Sequence, residues 1–144
     1  MKIITETSFE KIKKQIKENP NAKIIFSSDD DELNRKVLEK LDINVLLLKQ
    51  LKRKDFQKQR NSGLNQVLAK IAKNKNIAIG IDLDEIINST GKQKSEILAR
   101  IKQNIKLCNK NKLKIKFIGT NRNSYDLKAV GLVLGMPTFI IKEL

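Results

Sequence analysis

Short, almost continuously apolar runs alternate along this chain with segments whose apolar residues recur every three or four positions. The clearest runs are KIIF at Lys23–Phe26, NVLLL at Asn44–Leu48, IAIGI at Ile77–Ile81 and IKFI at Ile115–Ile118. A strand without polar alternation is buried on both faces, and parallel sheets flanked by helices provide that burial. The alternation therefore predicts an α/β protein with a mostly parallel sheet. Read in order, a strand at Lys2–Thr5 leads to a helix at Phe9–Lys17 that ends before Asn19-Pro20. The strand Lys23–Phe26 precedes a helix from Ser28 to Leu41, and the strand Asn44–Leu48 opens a loop to Asn61. A helix at Ser62–Asn74, the strand Ile77–Ile81 and a helical turn at Asp84–Asn88 follow. After a polar stretch from Ser89 to Lys94, a long helix runs to about Asn109, then the strand Ile115–Ile118. A helix from Ser124 to Leu134 ends at Gly135, the residue type that most often closes a helix, and Thr138–Ile141 reads as the last strand.

Six strands in 144 residues fit a doubly wound open sheet or an incomplete (β/α) barrel. A full eightfold barrel typically needs ~200–250 residues. The pattern leaves both architectures open. There is no low-complexity linker and no break in composition, so residues 1–144 read as one domain.

Hydrophobic residues make up 40% of the chain and aromatics only 4%, so Ile, Leu and Val must build the core. No apolar run approaches the ~18 residues of a membrane span. The start MKIITETSF lacks the apolar core of a signal peptide, and a cytoplasmic protein is the expectation. Cys108 is the only cysteine, which removes internal disulfides and cysteine-based zinc sites. Histidine is absent, and with it the usual general base at neutral pH and the usual transition-metal ligand.

The net charge of +14 is unevenly placed. Between Lys49 and Lys75 stand nine basic residues and one acid, Asp55; between Lys92 and Lys116 stand nine more and one acid, Glu96. The two windows carry +16, so the remainder nets −2. Such asymmetry is the footprint of a polyanion binder. With few aromatics for base stacking, recognition of the backbone and shape of structured RNA fits the composition better.

Four constellations carry possible chemistry. Asp29, Asp30, Asp31 and Glu32 offer hard oxygen ligands, but behind Ser28 they also suit the first turn of a helix. Asp82, Asp84 and Glu85 follow a strand, where α/β enzymes collect their chemistry, and equally suit a helix cap. Lys102, Lys106 and Lys110 line one helix face about 6 Å apart, close to phosphate spacing. The loop Gly119–Ser124 presents Arg122 between a strand and a helix, without the glycine pattern of a nucleotide-binding fingerprint.

The segment Arg60–Ile87, RNSGLNQVLAKIAKNKNIAIGIDLDEII, combines a basic approach, Ser62 as the expected helix cap, an apolar face of Leu64, Val67, Leu68, Ile71 and Ala72, and a strand. Together with Leu33–Leu48, Ile97–Ile118 and the YDLKAVGLVLGMP ending at Tyr125–Pro137, it resembles the archaeal ribonuclease P protein component 3 family, the thirty-kilodalton subunit of that enzyme. The resemblance covers most of residues 22–140. It implies a TIM-barrel-like (β/α) fold, here truncated or incomplete with about six mostly parallel strands. It also implies a non-catalytic subunit of the ribonucleoprotein that removes the 5′ leader from precursor tRNA. In that enzyme the RNA subunit does the chemistry with Mg²⁺, and the protein binds no cofactor of its own. The implied partners are the ribonuclease P RNA, protein component 2 and, indirectly, precursor tRNA. Family members are usually longer at both ends, and an early strand with an Asp-Leu-His-like sequence has no counterpart here.

The residues expected to meet RNA are Arg35, Arg60, Lys70, Arg100, Lys102, Lys106 and Arg122, with Asn61 and Ser62 shaping the loop that presents Arg60. No catalytic or metal-binding residue is expected. A standalone basic α/β nucleic-acid-binding protein is the alternative. A carboxylate-metal phosphoesterase built on Asp82, Asp84 and Glu85 comes third.

Overall fold

The computed structural model describes residues 1–119 and 121–144. Five strands form one parallel sheet: β1 (Lys2–Ile4), β2 (Ile24–Phe26), β3 (Val45–Leu47), β4 (Ala78–Asp82) and β5 (Ile115–Ile118). Seven helices are described: α1 (Phe9–Glu18), α2 (Asp31–Lys40), α3 (Gln66–Asn74), α4 (Leu83–Asn88), α5 (Gly91–Asn111), α6 (Ser124–Val133) and α7 (Thr138–Ile141). The strand order is β1-β2-β3-β4-β5, every neighbour is parallel, and the sheet is open.

Sequential strand order with right-handed crossovers puts every connecting helix on the same side of the sheet. The packing follows that rule. Ile4, Ile24, Phe26, Leu46, Ile79, Ile81 and Ile115 point into one large core shared with the helices. The alternate residues Ile25, Val45 and Leu47 form a separate small cluster with Ala78 and Ile118. The sheet therefore has a helix-covered outer face and an inner face whose side chains bury one another, as in an opened (β/α) barrel. Ile3, on the inner face of edge strand β1, is half exposed.

The apolar face expected on α5 is present: Ile97, Ile101, Ile105 and Cys108 are all buried. Burial pushes the Cys108 thiol up to about 12, so it stays protonated as a small core residue. On α3 the buried stripe is Leu68, Ala69 and Ala72, while Val67 is exposed. The helix starts later than the spacing suggests, at Gln66 and not Ser62, because the Asn65 side chain takes the Leu68 N–H at 2.9 Å. Likewise Asp30, not Ser28, caps α2 by accepting from the N–H groups of Glu32 and Leu33. α5 reaches back to Gly91, into the stretch expected to be irregular.

The structure differs from the pattern at one expected strand. Thr138–Ile141 is the helical turn α7, so the sheet has five strands and not six. A four-residue apolar run has no periodicity that separates strand from buried helix. Here the run follows Pro137 at the cap position and buries Ile140 completely in the helical layer.

The turn into that segment depends on Gly135. It has φ +87°, its N–H reaches Leu132 O and the Met136 N–H reaches Gly131 O, the paired bonds of a Schellman cap. Nothing lies within 4 Å of where a Cβ would be. Gly135→Ala should therefore add backbone strain alone, about 1–2 kcal/mol of lost stability, with an unchanged denaturant slope in chemical unfolding.

Candidate nucleic-acid interface

The long connection from β3 to α3 carries most of the first basic window, and it is held in place by its own side chains. Gln50 is buried and donates to Leu48 O at 3.3 Å and to Ser62 O at 2.9 Å, so the two ends of the loop are tied together. Asn104 on α5 donates to the same Ser62 carbonyl at 3.2 Å. Arg53 grips Asp31 of α2 through two nitrogens, at 2.8 and 3.0 Å, and reaches Asn61 Oδ1 at 3.3 Å. Its guanidinium lies over Gly63, where any Cβ would collide with it and where φ is +81°. Only glycine suits that position, which explains the SGLN sequence better than a capping serine does.

Asp55 is the centre of this arrangement. Its Oδ1 accepts from Arg100 Nε at 2.9 Å and from the Asn61 N–H at 3.0 Å, and its Oδ2 from Arg60 Nη1 at 3.3 Å. Desolvation pushes its pKa up, but the Arg100 hydrogen bond, the Asn61 N–H and the two arginine charges outweigh it, and the net shift is downward.

Arg100 was expected on the RNA-facing surface, and its placement argues against that. Its side chain is 3% exposed, paired with Asp55, and its Nη1 donates to Gln50 O at 3.1 Å. Glu96 lies 3.9 Å from its Nη2. Lodged between α5 and the loop, the guanidinium has its partners inside the protein. Ser62 is buried too: its carbonyl joins the loop ends, and its hydroxyl accepts from Gln103 Nε2 at 3.1 Å. The Asn61 N–H and Arg60 Nη1 both donate to the Asp55 carboxylate.

Between α2, this loop and α5 lies a groove of ≈ 720 Å³. It brings together Arg35, Arg60, Asn61, Ser62 and Lys106 of the expected residues. Lys110, Gln103, Gln59 and Phe56 line it as well. Arg35 is tied to Glu39 at 2.9 Å and Arg60 to Asp55, yet both remain about half exposed. Lys70, Lys102 and Arg122 are exposed but do not line the groove. Thr120, in the loop that carries Arg122, lies outside the described residues. Gln103, Lys106 and Lys110 share one α5 face by their three- and seven-residue spacing, a signal visible in the sequence. Phe56 had none, because a lone aromatic in a polar loop has no period.

Not every cation in the basic windows faces outward. Lys75 Nζ donates to Leu38 O at 2.9 Å and Leu41 O at 2.6 Å, closing the C-terminus of α2. Lys73 donates to Lys112 O at 3.1 Å.

The carboxylates at the strand ends are engaged in the fold. Asp82 caps α4 by accepting from the Asp84 N–H at 3.0 Å and stands 3.9 Å from Lys49 Nζ. Glu85 accepts from the N–H groups of Gln50 at 2.8 Å and Leu51 at 3.2 Å, bracing the start of the basic loop. Burial raises the Glu85 pKa in spite of those two bonds. Asp29 lies 3.8 Å from Lys52, and Asp30 and Asp31 are taken by the α2 cap and by Arg53. Among the described residues no group of three or more such side chains is arranged to hold a metal ion.

Fold and groove together define a protein built as an open (β/α) half-barrel with a basic groove on its helical side. No protein-family model matches the chain. Its sequence is 31% identical over 106 residues to ribonuclease P protein component 3 of Methanosarcina mazei, covering 74% of this chain and 41% of that protein. The protein of the same name from Methanococcus maripaludis strain C6 is 28% identical over 121 residues, 84% of this chain and 50% of that one. A chain of the cryo-EM structure of archaeal ribonuclease P with mature tRNA superposes with a TM-score of 0.81 at 26% identity, covering 98% of this chain and 63% of that chain. The chain belongs to the ribonuclease P protein component 3 family. It spans about half the length of the curated relatives it matches.

The Asp55–Arg100 pair gives a test. Arg100→Met should lower stability by about 1.5–3 kcal/mol, the range for hydrogen bonds to charged groups. The pH dependence has a defined sign. The folded pKa of Asp55 lies below its ordinary 3.8, so its contribution is complete above that value and is lost as pH falls through the lower folded value. The stability gap between the native chain and Asp55→Asn should be flat at neutral pH and close in the acid limb of a pH series of melts.

Proposed function

We propose that this chain acts as a protein subunit of the ribonuclease P ribonucleoprotein and supports removal of the 5′ leader from precursor tRNA. The observation that carries the reading is the superposition on a chain of archaeal ribonuclease P over 98% of these residues. The basic groove gives the subunit a surface for the enzyme's RNA. Arg35, Arg60, Lys106 and Lys110 hold cations at its walls, and Lys70, Lys102 and Arg122 extend positive charge beyond it. The protein does no chemistry in this reading. Cleavage belongs to the RNA subunit with its Mg²⁺, consistent with a chain that has no histidine and whose strand-end acids are bonded to backbone. Protein component 2 is the proposed partner within the particle, precursor tRNA is met indirectly, and the site of action is the cytoplasm.

Reconstitution decides it. The chain, the ribonuclease P RNA and component 2 together should cleave precursor tRNA faster than the same mixture without the chain, and the chain alone should not cleave at any Mg²⁺ concentration. An unchanged rate on adding the chain would leave the standalone nucleic-acid-binding alternative in its place.

Arg60 separates RNA contact from loop architecture. A half-exposed guanidinium can grip phosphate through two parallel hydrogen bonds, which lysine cannot imitate. Arg60→Ala should weaken RNA binding by about 1–3 kcal/mol. Its ion pair with Asp55 is partly exposed, so the same variant should lose under ~1 kcal/mol of stability. Arg60→Lys should recover part of the binding. A lowered melting temperature with unchanged RNA affinity would assign Arg60 to the loop alone.

A further inference from the structure

Phe56 is 58% exposed on a loop segment whose neighbours, Lys54, Asp55, Gln57, Lys58, Gln59 and Arg60, are all polar. A ring left in water on a charged loop gains nothing for the fold. Its loop is nevertheless well anchored, with Asp55 immediately before it fixed by Arg100 and by the Asn61 N–H. Phe56 is thus an apolar surface held at a defined place, on the wall of the ≈ 720 Å³ groove.

Amides and cations share the rest of the lining with leucines and with the carboxylates of Glu32 and Asp31, the latter paired with Arg53. Asn61 uses its side-chain oxygen for Arg53, and Gln103 uses its amide nitrogen for Arg60 O and the Ser62 hydroxyl. Each amide plane is thereby fixed. One donor, on Asn61, and one acceptor, on Gln103, have no partner among the described residues. Lys106 and Lys110 stand a turn apart on the α5 side. A flat apolar surface, a fixed donor and acceptor, and cations beside them match the parts of a nucleotide: base face, base edge and phosphate. Sequence-specific RNA recognition targets bases released from the helix, stacked on aromatic rings and hydrogen-bonded at their edges. The groove volume lies within the ~300–1,000 Å³ of small-ligand sites, enough for one nucleotide.

We propose that this groove receives a single unpaired nucleotide of the bound RNA, with its base stacked on Phe56, its edge read by Asn61 and Gln103, and its phosphates beside Lys106 and Lys110. The proposal rests on the RNA-binding reading above and adds to it a preference for a bulge or loop over continuous duplex.

The test uses two RNA hairpins of equal length, one fully paired and one with a single bulged 2-aminopurine, titrated against the whole chain. The chain should favour the bulged hairpin by roughly 5–150-fold, the range of one base–aromatic stack, and binding should quench the 2-aminopurine. Phe56→Ala should erase both the preference and the quenching while leaving the salt dependence unchanged; Phe56→Tyr should keep them. Lys106→Ala should weaken both hairpins alike and reduce the salt slope by about 1. If both hairpins bind equally, or if the preference survives Phe56→Ala, the nucleotide pocket is refuted while the RNA-binding reading stands. If neither hairpin binds, or Lys106→Ala changes neither affinity, the groove is not an RNA surface and both readings fall.

Discussion

The ion pair between Arg100 and Asp55 ties this structure together. It joins the middle of the longest helix to the tip of a loop that would otherwise be a basic, solvated strap. One carboxylate oxygen receives both the guanidinium and the Asn61 N–H, so α5, Asp55 and Asn61 are fixed with respect to one another. A buried arginine must have partners, because leaving its charge unpaired in the interior is strongly unfavourable. Here the partners are a carboxylate and the Gln50 carbonyl, and both belong to the loop. The loop is ordered because the arginine needs it, and the arginine is tolerated because the loop is there.

From that pinning follows the groove. α3 packs between α2 and α5, and the groove opens over its N-terminal end beside the β3–α3 connection. Arg53 of that connection clasps Asp31 and rests on Gly63, so the connection is fastened to α2 as well as to α5. The carboxyl ends of the strands, where barrel enzymes concentrate their chemistry, take a different role. Glu85 and Asp82 hold backbone N–H groups and steady the base of the loop. That end of the fold thus braces the start of the β3–α3 loop.

Charge is divided between two duties. Arg53, Lys73, Lys75 and Arg100 satisfy carbonyls and carboxylates of the protein itself. Lys70, Lys102, Lys106 and Lys110 remain at the surface. Net charge is a property of the whole chain, but a binding surface is made only by the cations left after the internal pairs are formed.

The sequence by itself determined the α/β class, a mostly parallel sheet, the places of the first five strands along the chain and the inward face of α5. Each of these rests on local periodicity, and local periodicity is written in the chain. Glycine at position 135 marked a helix end for the same local reason. Family membership was legible in stretches such as Arg60–Ile87, because a turn, a helix and a strand matched together. Three things were decided only by tertiary structure. Thr138–Ile141 became a helix because its four residues carry no period and their burial against the helical layer chose the state. Arg100 went inward because a carboxylate 45 residues away in sequence stands beside it, and no local pattern encodes a meeting at that separation. Phe56 and Gln103 joined one groove for the same reason: sharing a cavity wall depends on how distant elements are brought together, and that is settled when the chain packs.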